Sequence, residues 1–121
     1  KYHDADATAF GYKKYQIPGM PEYYESNQQL MERWINKVDY PLATLYTGDE
    51  FVVKNKGFQG VIDMEATALY QVCYAYEIPI ISIKIISDII EHQKNNYESF
   101  DLDQAAKKIA EVIHQFLEDV R

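Results

Sequence analysis

The sequence predicts an α/β fold with a central, mostly parallel (mixed) sheet flanked by helices. From residue 42 onward the predicted elements run strand, strand, helix, strand and helix, which is the order typical of α/β proteins. The third strand is almost wholly apolar, as expected for a strand buried on both faces of a parallel sheet. Such sheets bind ligands beyond the carboxyl ends of their strands, so the segments that follow the strands are the first place to look for a site.

The first part of the chain contains an arm, a turn and a helix. Residues 1–12 are polar and then aromatic, and they form either a strand or an ordered arm. The segment "QIPGMP" at 16–21 contains two prolines and a glycine and is a turn or loop. Ser26 is the expected cap of the first helix. Its apolar residues recur with helical period at Leu30, Trp34, Ile35 and Val38.

Two short strands and a helix follow. Residues 42–47 are apolar and β-branched and end at Gly48, and residues 60–64 repeat that pattern. A helix begins directly after the second strand, and Pro79 is expected to break it. The apolar face of this helix is predicted to be Ala66, Leu69, Val72, Cys73 and Tyr76.

The last two predicted elements are the buried strand and a long amphipathic helix. The strand is expected within "IPIISIKIIS" at 78–87, and the helix is expected to begin at Asp101 or Asp103. The buried stripe of the helix is predicted to be Ala106, Ile109, Ile113, Phe116 and Val120.

Composition narrows the classes of function. The 121 residues suffice for one modest domain, and the net charge of −7 argues against nucleic acid as a partner. No apolar run approaches the roughly 18 residues that a membrane span needs. The single Cys73 fits a buried thiol in a reducing compartment, which predicts a cytoplasmic protein. Metal ligation is not expected, because the spacing of His3, His92 and His114 is not that of a zinc site.

Carboxylates follow each predicted strand. Asp49 and Glu50 come after the first strand, Glu65 after the second and Asp88 after the third, so all four are expected near one rim of the sheet. No basic residue lies in those short stretches, which favours a ligand with hydroxyls or protonatable nitrogens over a phosphate. Two simpler interpretations stay open: Glu65 as a first-turn acid and Asp88 as a helix cap.

Five segments, in this order, resemble one known family. They are "HDADATAFGY" at 3–12, "QIPGMP" at 16–21, "TGDEF" at 47–51, "DMEATALYQVCY" at 63–74 and "IPIISIKIISD" at 78–88. Together they resemble the C-terminal half of the bacterial 5′-methylthioadenosine/S-adenosylhomocysteine nucleosidases, within the purine nucleoside phosphorylase superfamily. The resemblance implies that residues 1–121 form the C-terminal portion of a single nucleoside phosphorylase-like domain.

The resemblance also implies a reaction. It is hydrolysis of the N-glycosidic bond of methylthioadenosine and adenosylhomocysteine, which releases adenine and a thioribose sugar and belongs to methionine salvage and the methyl cycle. Water is the nucleophile, and neither metal nor cofactor takes part. Asp88 then matches the general acid that shares a proton with adenine N7, with Ser87 orienting it. Glu65 matches the carboxylate that binds the ribose hydroxyls and stabilises the oxocarbenium-like transition state.

Further roles follow from the same resemblance. Met64 packs beneath the ribose, Phe51 stacks on adenine, and the backbone of Val52 contacts the purine edge. Phe100 lines the alkylthio pocket. Phe10 reaches into the pocket of a neighbouring subunit, so a homodimer is implied.

Three departures from the family stand out. Lys84 occupies a position where many relatives carry an arginine that supports the ribose-binding glutamate, and lysine lacks the bidentate fork. The interval from Phe51 to Glu65 is shorter than the family pattern, which indicates either a deletion or residues missing between Val53 and Gly60. The family's N-terminal half does not occur in this chain, so a complementary N-terminal piece is the expected partner.

Two alternatives stay open beside the nucleosidase. A purine nucleoside phosphorylase needs basic residues for phosphate, which in the family lie mostly in the N-terminal half. A non-catalytic nucleoside-binding module keeps the adenine pocket without the residues that activate water. Adenine release by the intact assembly distinguishes an enzyme from such a module.

Overall fold

The computed structural model describes residues 1–90 and 100–119, which fall into two compact units. The first unit comprises Lys1–Val52 and Lys56–Ser82, and the second comprises Val53–Asn55 and the described part of Ile83–Arg121. No helix in the described ranges is long and apolar enough to cross a membrane. The regular elements are a 3-10 turn at Thr8–Phe10, helices α1 (Gln28–Ile35), α2 (Ala66–Ala75) and α3 (Leu102–Asp119), and strands β1 (Leu45–Thr47) and β2 (Val61–Asp63).

The sheet of the first unit is parallel, as predicted. β1 and β2 pair with Leu45 opposite Val61 and Thr47 opposite Asp63. Tyr2 forms a further parallel bridge to Thr47, so the N-terminal arm lies along the free side of β1. Helix α2 packs against β1, which completes a small α/β unit around the strand ends.

The cap of helix α1 lies one residue after the predicted one. Asn27 has the extended backbone of a cap residue, and its side chain accepts a hydrogen bond from the Leu30 amide at 3.0 Å. Ser26 is therefore not the cap, and its hydroxyl instead lies 2.7 Å from the hydroxyl of Tyr70. Trp34 is 7% exposed and anchors the helix, as the apolar period predicted, whereas Ile35 of the same period is exposed because it lies on the side of the helix that does not pack.

The predicted apolar face of α2 is wrong for most of its length. Leu69, Val72 and Tyr76 are exposed, and Cys73 is a half-buried free thiol. Because α2 is apolar on more than one side, its apolar residues alone do not determine which side packs on the sheet. The buried residues of α2 are Ala66, Thr67 and Tyr70.

Helix α2 ends before the proline that was expected to break it. Glu77 adopts a left-handed conformation with φ +55°, and its amide donates to the carbonyl of Tyr74 at 3.3 Å. The amide of Ile78 donates to the carbonyl of Cys73 at 2.8 Å, which completes a Schellman motif. The carbonyls of the last helical turn are thereby satisfied ahead of Pro79.

The third predicted strand is not formed. Residues 78–89 have no assigned strand, and Ile85, Ile86 and Ile89 are exposed. One backbone contact of this stretch is with the Asn27 amide, which donates to the carbonyl of Ile80 at 2.8 Å. A strand requires a neighbour that supplies a hydrogen-bonding ladder, and the described residues place none beside this stretch.

Helix α3 confirms the Asp101 cap and corrects the predicted stripe. The Asp101 carboxylate accepts a hydrogen bond from the Gln104 amide at 3.0 Å. Val112 is buried whereas Ile113 is exposed, so the stripe is displaced by one residue along part of the helix. The half-buried members of the stripe are Ala105, Ile109 and Phe116. Ala106 is exposed, and Val120 lies outside the described residues.

Gly60, at the entrance to β2, provides a test of this packing. Its φ is +157°, and a Cβ there would collide with the backbone carbonyl oxygen of Thr44, which accepts a 2.9 Å hydrogen bond from the Val61 amide. We expect Gly60→Ala to lower the free energy of unfolding by about 2–3 kcal/mol, because the clash involves backbone that cannot rotate away. Urea unfolding of the chain in its native assembly measures this.

Gly19→Ala is the matched control. Gly19 has φ +81°, and no atom lies within 4 Å of the place that a Cβ would occupy, so alanine there meets only the left-handed penalty of about 1 kcal/mol. Equal losses of stability in the two variants would contradict the proposed clash at Gly60.

Candidate functional site

The carboxyl ends of β1 and β2 lie at the same edge of the sheet. Because Thr47 pairs with Asp63 in a parallel register, the segments 48–52 and 64–65 leave the sheet side by side. The Gly48 amide donates to the Asp63 carbonyl at 3.3 Å, which continues the contact beyond the strands. The structure thus brings the acids that follow β1 and the acid that follows β2 to one edge.

The N-terminal arm braces the loop that follows β1. A Cβ at Gly48 would lie 2.5 Å from His3 Cε1, so only glycine permits this approach. The His3 ring is buried and packs on Phe58 with ring centroids 5.2 Å apart. The Asp4 carboxylate accepts a hydrogen bond from the Asp49 amide at 3.1 Å. The first residues of the "HDADATAFGY" segment therefore support the loop after β1.

Glu65 stands between β2 and α2 with its carboxylate exposed. It occupies the cap position of α2, yet its side chain accepts no capping hydrogen bond. Asp63 performs that task, because its Oδ2 accepts the Ala66 amide at 3.0 Å. Glu65 therefore precedes the first turn of α2, whereas the first-turn interpretation expected it to lie within that turn, and its exposed carboxylate makes no capping hydrogen bond. Met64 beside it is also exposed.

The residues predicted to contact adenine differ in their exposure. The ring of Phe51 is 62% exposed, whereas Val52 is only 8% exposed. An exposed aromatic ring beside a fixed backbone segment suits stacking on a planar base. Glu50, the acid before them, forms an exposed ion pair with Lys56 at 2.7 Å.

Phe10 projects from the one-turn helix at Thr8–Phe10. Its ring is 82% exposed. Asp6 holds the turn, since its Oδ1 accepts hydrogen bonds from the Thr8 hydroxyl at 2.6 Å and the Thr8 amide at 3.0 Å. These two hydrogen bonds lower the pKa of Asp6. Gly11, with φ +87°, turns the chain directly after Phe10.

The second unit contains an open cavity of about 930 Å³ around Asp88. The Ser87 hydroxyl donates to Asp88 Oδ1 at 2.6 Å, and Asp88 is half-buried. Phe100 lines the same cavity, while Lys84 is exposed. Four of the residues assigned from the resemblance therefore belong to this unit.

Helix α3 adds charged residues that the sequence interpretation missed. Lys107 and Lys108 line the cavity beside Asp88, together with Gln104 and Glu111. The residues at 104, 108 and 111 recur at helical spacing, which places them on one side of α3. The same spacing can be read in the sequence, but the apolar stripe of α3 is the more evident pattern and indicates only a packing helix.

Comparison with known proteins identifies the family. Residues 1–118 match the phosphorylase superfamily. A 5′-methylthioadenosine/S-adenosylhomocysteine nucleosidase of Staphylococcus haemolyticus is 34% identical over 96% of this chain and 57% of its own length.

Solved structures agree with the sequence comparison. The S-adenosylhomocysteine nucleosidase of Streptococcus pyogenes, in complex with 5-methylthiotubericidin, superimposes with a TM-score of 0.82 at 30% identity, over 99% of this chain and 57% of that one. The Streptococcus pneumoniae nucleosidase, in complex with 8-aminoadenine, gives a TM-score of 0.83 at 31% identity, over 96% and 56% of the two chains. The predicted nucleoside phosphorylase-like fold and the resemblance to nucleosidases are both confirmed.

This chain spans little more than half the length of these relatives. The alignment with the S. haemolyticus protein extends over 131 positions, more than the 121 residues of this chain. That relative therefore contains residues, within the matched region, for which this chain has no counterpart.

Proposed function

This chain belongs to the phosphorylase superfamily, and we propose that it is the C-terminal half of a 5′-methylthioadenosine/S-adenosylhomocysteine nucleosidase. The proposed reaction hydrolyses the N-glycosidic bond of both thioethers and releases adenine and the thioribose sugar. The observation that carries the proposal is the Ser87–Asp88 pair, which is hydrogen-bonded at 2.6 Å in a cavity that also contains Phe100.

Asp88 is proposed as the general acid. Adenine is a poor leaving group as an anion and a good one as a neutral base, so a proton must reach N7 as the bond breaks. Ser87 occupies Oδ1 of Asp88 and thereby fixes the plane of the carboxyl group. The second oxygen is left to share a proton with N7.

Glu65 is proposed to bind the sugar. Its two oxygens match the two hydroxyls of a vicinal diol, and the residue stands at the start of α2, beside the strand end. A negative charge beside the sugar also stabilises the positive charge that develops as adenine leaves. The absence of a capping bond to its side chain supports this assignment. Met64 is proposed to pack beneath the ribose, and Lys84 to support the ribose-binding carboxylate.

The remaining contacts complete the proposed binding of the nucleoside. Phe51 stacks on adenine while the backbone of Val52 contacts the purine edge, and Phe100 lines the alkylthio pocket. The exposed ring of Phe10 is proposed to enter the pocket of a second copy in a homodimer. Its exposure and the turn that holds it support this assignment.

The proposed location is the cytoplasm, and the free thiol of Cys73 supports a reducing compartment. The proposed role of the reaction there is methionine salvage. The residues that position water belong, in this proposal, to a complementary N-terminal half. The apolar residues 78–89, which the described chain leaves without a neighbouring strand, support a role for that partner.

The test begins with the native assembly that contains this chain. Native mass spectrometry determines whether a companion polypeptide is bound, and a companion of similar size is expected. The assembly is then incubated with methylthioadenosine in phosphate-free buffer made with ¹⁸O-labelled water. We expect free adenine and a thioribose sugar that carries one ¹⁸O atom.

Each alternative has a distinct result in this assay. Adenine release that depends on added phosphate, with a sugar 1-phosphate as the second product, would identify a phosphorylase. Tight binding of methylthioadenosine without release of adenine would identify a nucleoside-binding module. Either result would overturn the proposed hydrolysis.

A further inference from the structure

Three polar side chains tie the ends of both strands to the first turn of α2. Thr47 Oγ1, at the end of β1, donates to Asp63 Oδ1, at the end of β2, at 2.6 Å. Thr47 Oγ1 also accepts the Thr67 amide at 3.0 Å and lies 2.7 Å from the Thr67 hydroxyl. Thr47 and Thr67 are each only 2% exposed. We refer to Thr47, Asp63 and Thr67 as the threonine–aspartate link.

The direction of the hydrogen bonds in this link is determined by the available protons. Thr47 has one hydroxyl proton, and the ionised Asp63 carboxylate can only accept, so Thr47 donates to Asp63. The Thr67 hydroxyl also has one proton, and its nearer acceptor is Thr47 Oγ1 at 2.7 Å, with the Lys1 carbonyl oxygen at 3.1 Å. The result is a short chain of hydrogen bonds that ends on a carboxylate, and hydrogen bonds to charged groups are the strong ones.

The link also supplies hydrogen-bond acceptors to the first backbone amides of helix α2. The first amides of a helix have no partner within it and need acceptors from elsewhere. Asp63 Oδ2 accepts the Ala66 amide and Thr47 Oγ1 accepts the Thr67 amide, both at 3.0 Å. Side chains of the two strands thus accept the first amides of α2, which a cap residue normally does. The cap residue here is Glu65, whose carboxylate stays uncommitted for this reason.

We propose that Thr47 and Thr67 are positioning residues that hold the Glu65 carboxylate in place for the ribose. This inference rests on the proposed function, in which Glu65 binds the sugar hydroxyls. The link fixes the start of α2 relative to the strand ends, and a buried hydroxyl pair has little freedom to shift. Without it the amides at the start of α2 lose their acceptors, and the Met64–Glu65 corner moves.

The experiment uses Thr47→Val and Thr67→Val in the native assembly. Valine keeps the branched shape and removes the hydroxyl. The measured quantity is the ratio of kcat/KM for methylthioadenosine to kcat/KM for its 2′-deoxy counterpart. If the threonines act through Glu65, this ratio falls by about tenfold, since one well-placed charged hydrogen bond contributes at least that much.

Two controls separate positioning from a general loss of structure. Thr47→Ser and Thr67→Ser retain the hydroxyl and are expected to keep the ratio within about twofold of the unsubstituted assembly. Thr44→Val removes an exposed hydroxyl just before β1 and should leave both substrates unaffected. A merely structural role lowers turnover of both substrates in parallel, leaves the ratio unchanged, and overturns the proposal.

The design also separates this inference from the proposed function. If the unsubstituted assembly binds methylthioadenosine without turnover, the same ratio is taken from dissociation constants. If this ratio of dissociation constants still falls in the valine variants, the positioning role of Thr47 and Thr67 stands and the proposed hydrolysis is abandoned. An assembly that binds neither nucleoside overturns both proposals.

Discussion

Asp88→Asn is expected to reduce adenine release from methylthioadenosine by about 10²–10⁴-fold, the usual contribution of a general acid. Asparagine has nearly the same size and can still accept the Ser87 hydroxyl, which now lies 2.6 Å from Asp88 Oδ1. It cannot share a dissociable proton with adenine N7. The loss should therefore appear in kcat, with KM changed far less.

A substrate that needs no acid provides the sharpest check on this prediction. 4-Nitrophenyl riboside releases a stable anion, so its hydrolysis should decline much less in Asp88→Asn than hydrolysis of methylthioadenosine. Asp103→Asn, an exposed carboxylate in the first turn of α3, is the matched control and should retain full activity. Equal losses on both substrates would show that Asp88 does not protonate the base.

The parts of the fold that were predictable are those determined by local sequence. A short β-branched segment that ends at Gly48 and another that leads into Met64 were sufficient to locate β1 and β2. The cap of α3 was likewise evident, because Asp101 stands directly before a long helical period. Each of these features depends on neighbours within a few residues, which is the information a single sequence contains.

The features that were missed depend on distant partners. The apolar composition of residues 78–87 is that of a buried strand, but backbone pairing requires a second segment beside it. The buried side of α2 is decided by Thr67 and Tyr70, while the more apolar Leu69 and Val72 are exposed. Helix propensity and the apolar pattern predict that a helix forms, but tertiary contacts decide which face of it packs against the sheet.

The candidate site divides in the same way. Glu65 and Asp88 were identified as candidate site residues because each is a carboxylate that directly follows an apolar segment, where an acid is unusual. Thr47 and Thr67 did not, since a threonine in a strand or in a first helical turn is common. The threonine–aspartate link is visible only when the register of β1 and β2 places Thr47 opposite Asp63.

Glu65→Gln is expected to reduce adenine release by about 10²–10³-fold. Glutamine preserves the size of the side chain and one acceptor oxygen, but it removes the negative charge that faces the developing sugar cation. It also replaces an acceptor with a donor, which leaves one ribose hydroxyl without its preferred partner. The expected loss in kcat/KM therefore exceeds that from either threonine variant of the link.

The 2′-deoxy substrate distinguishes a sugar-binding role of Glu65 from a structural one. Its carboxylate caps no helix amide, so Glu65→Gln should leave the free energy of unfolding within about 0.5 kcal/mol of the unsubstituted assembly. Removal of the substrate's 2′-hydroxyl should then lower kcat/KM much less in Glu65→Gln than in the unsubstituted assembly. Glu22→Gln, exposed in the same unit, serves as the matched control. An unchanged ratio between the two substrates would exclude Glu65 from the sugar site, and the positioning role of Thr47 and Thr67 would be excluded with it.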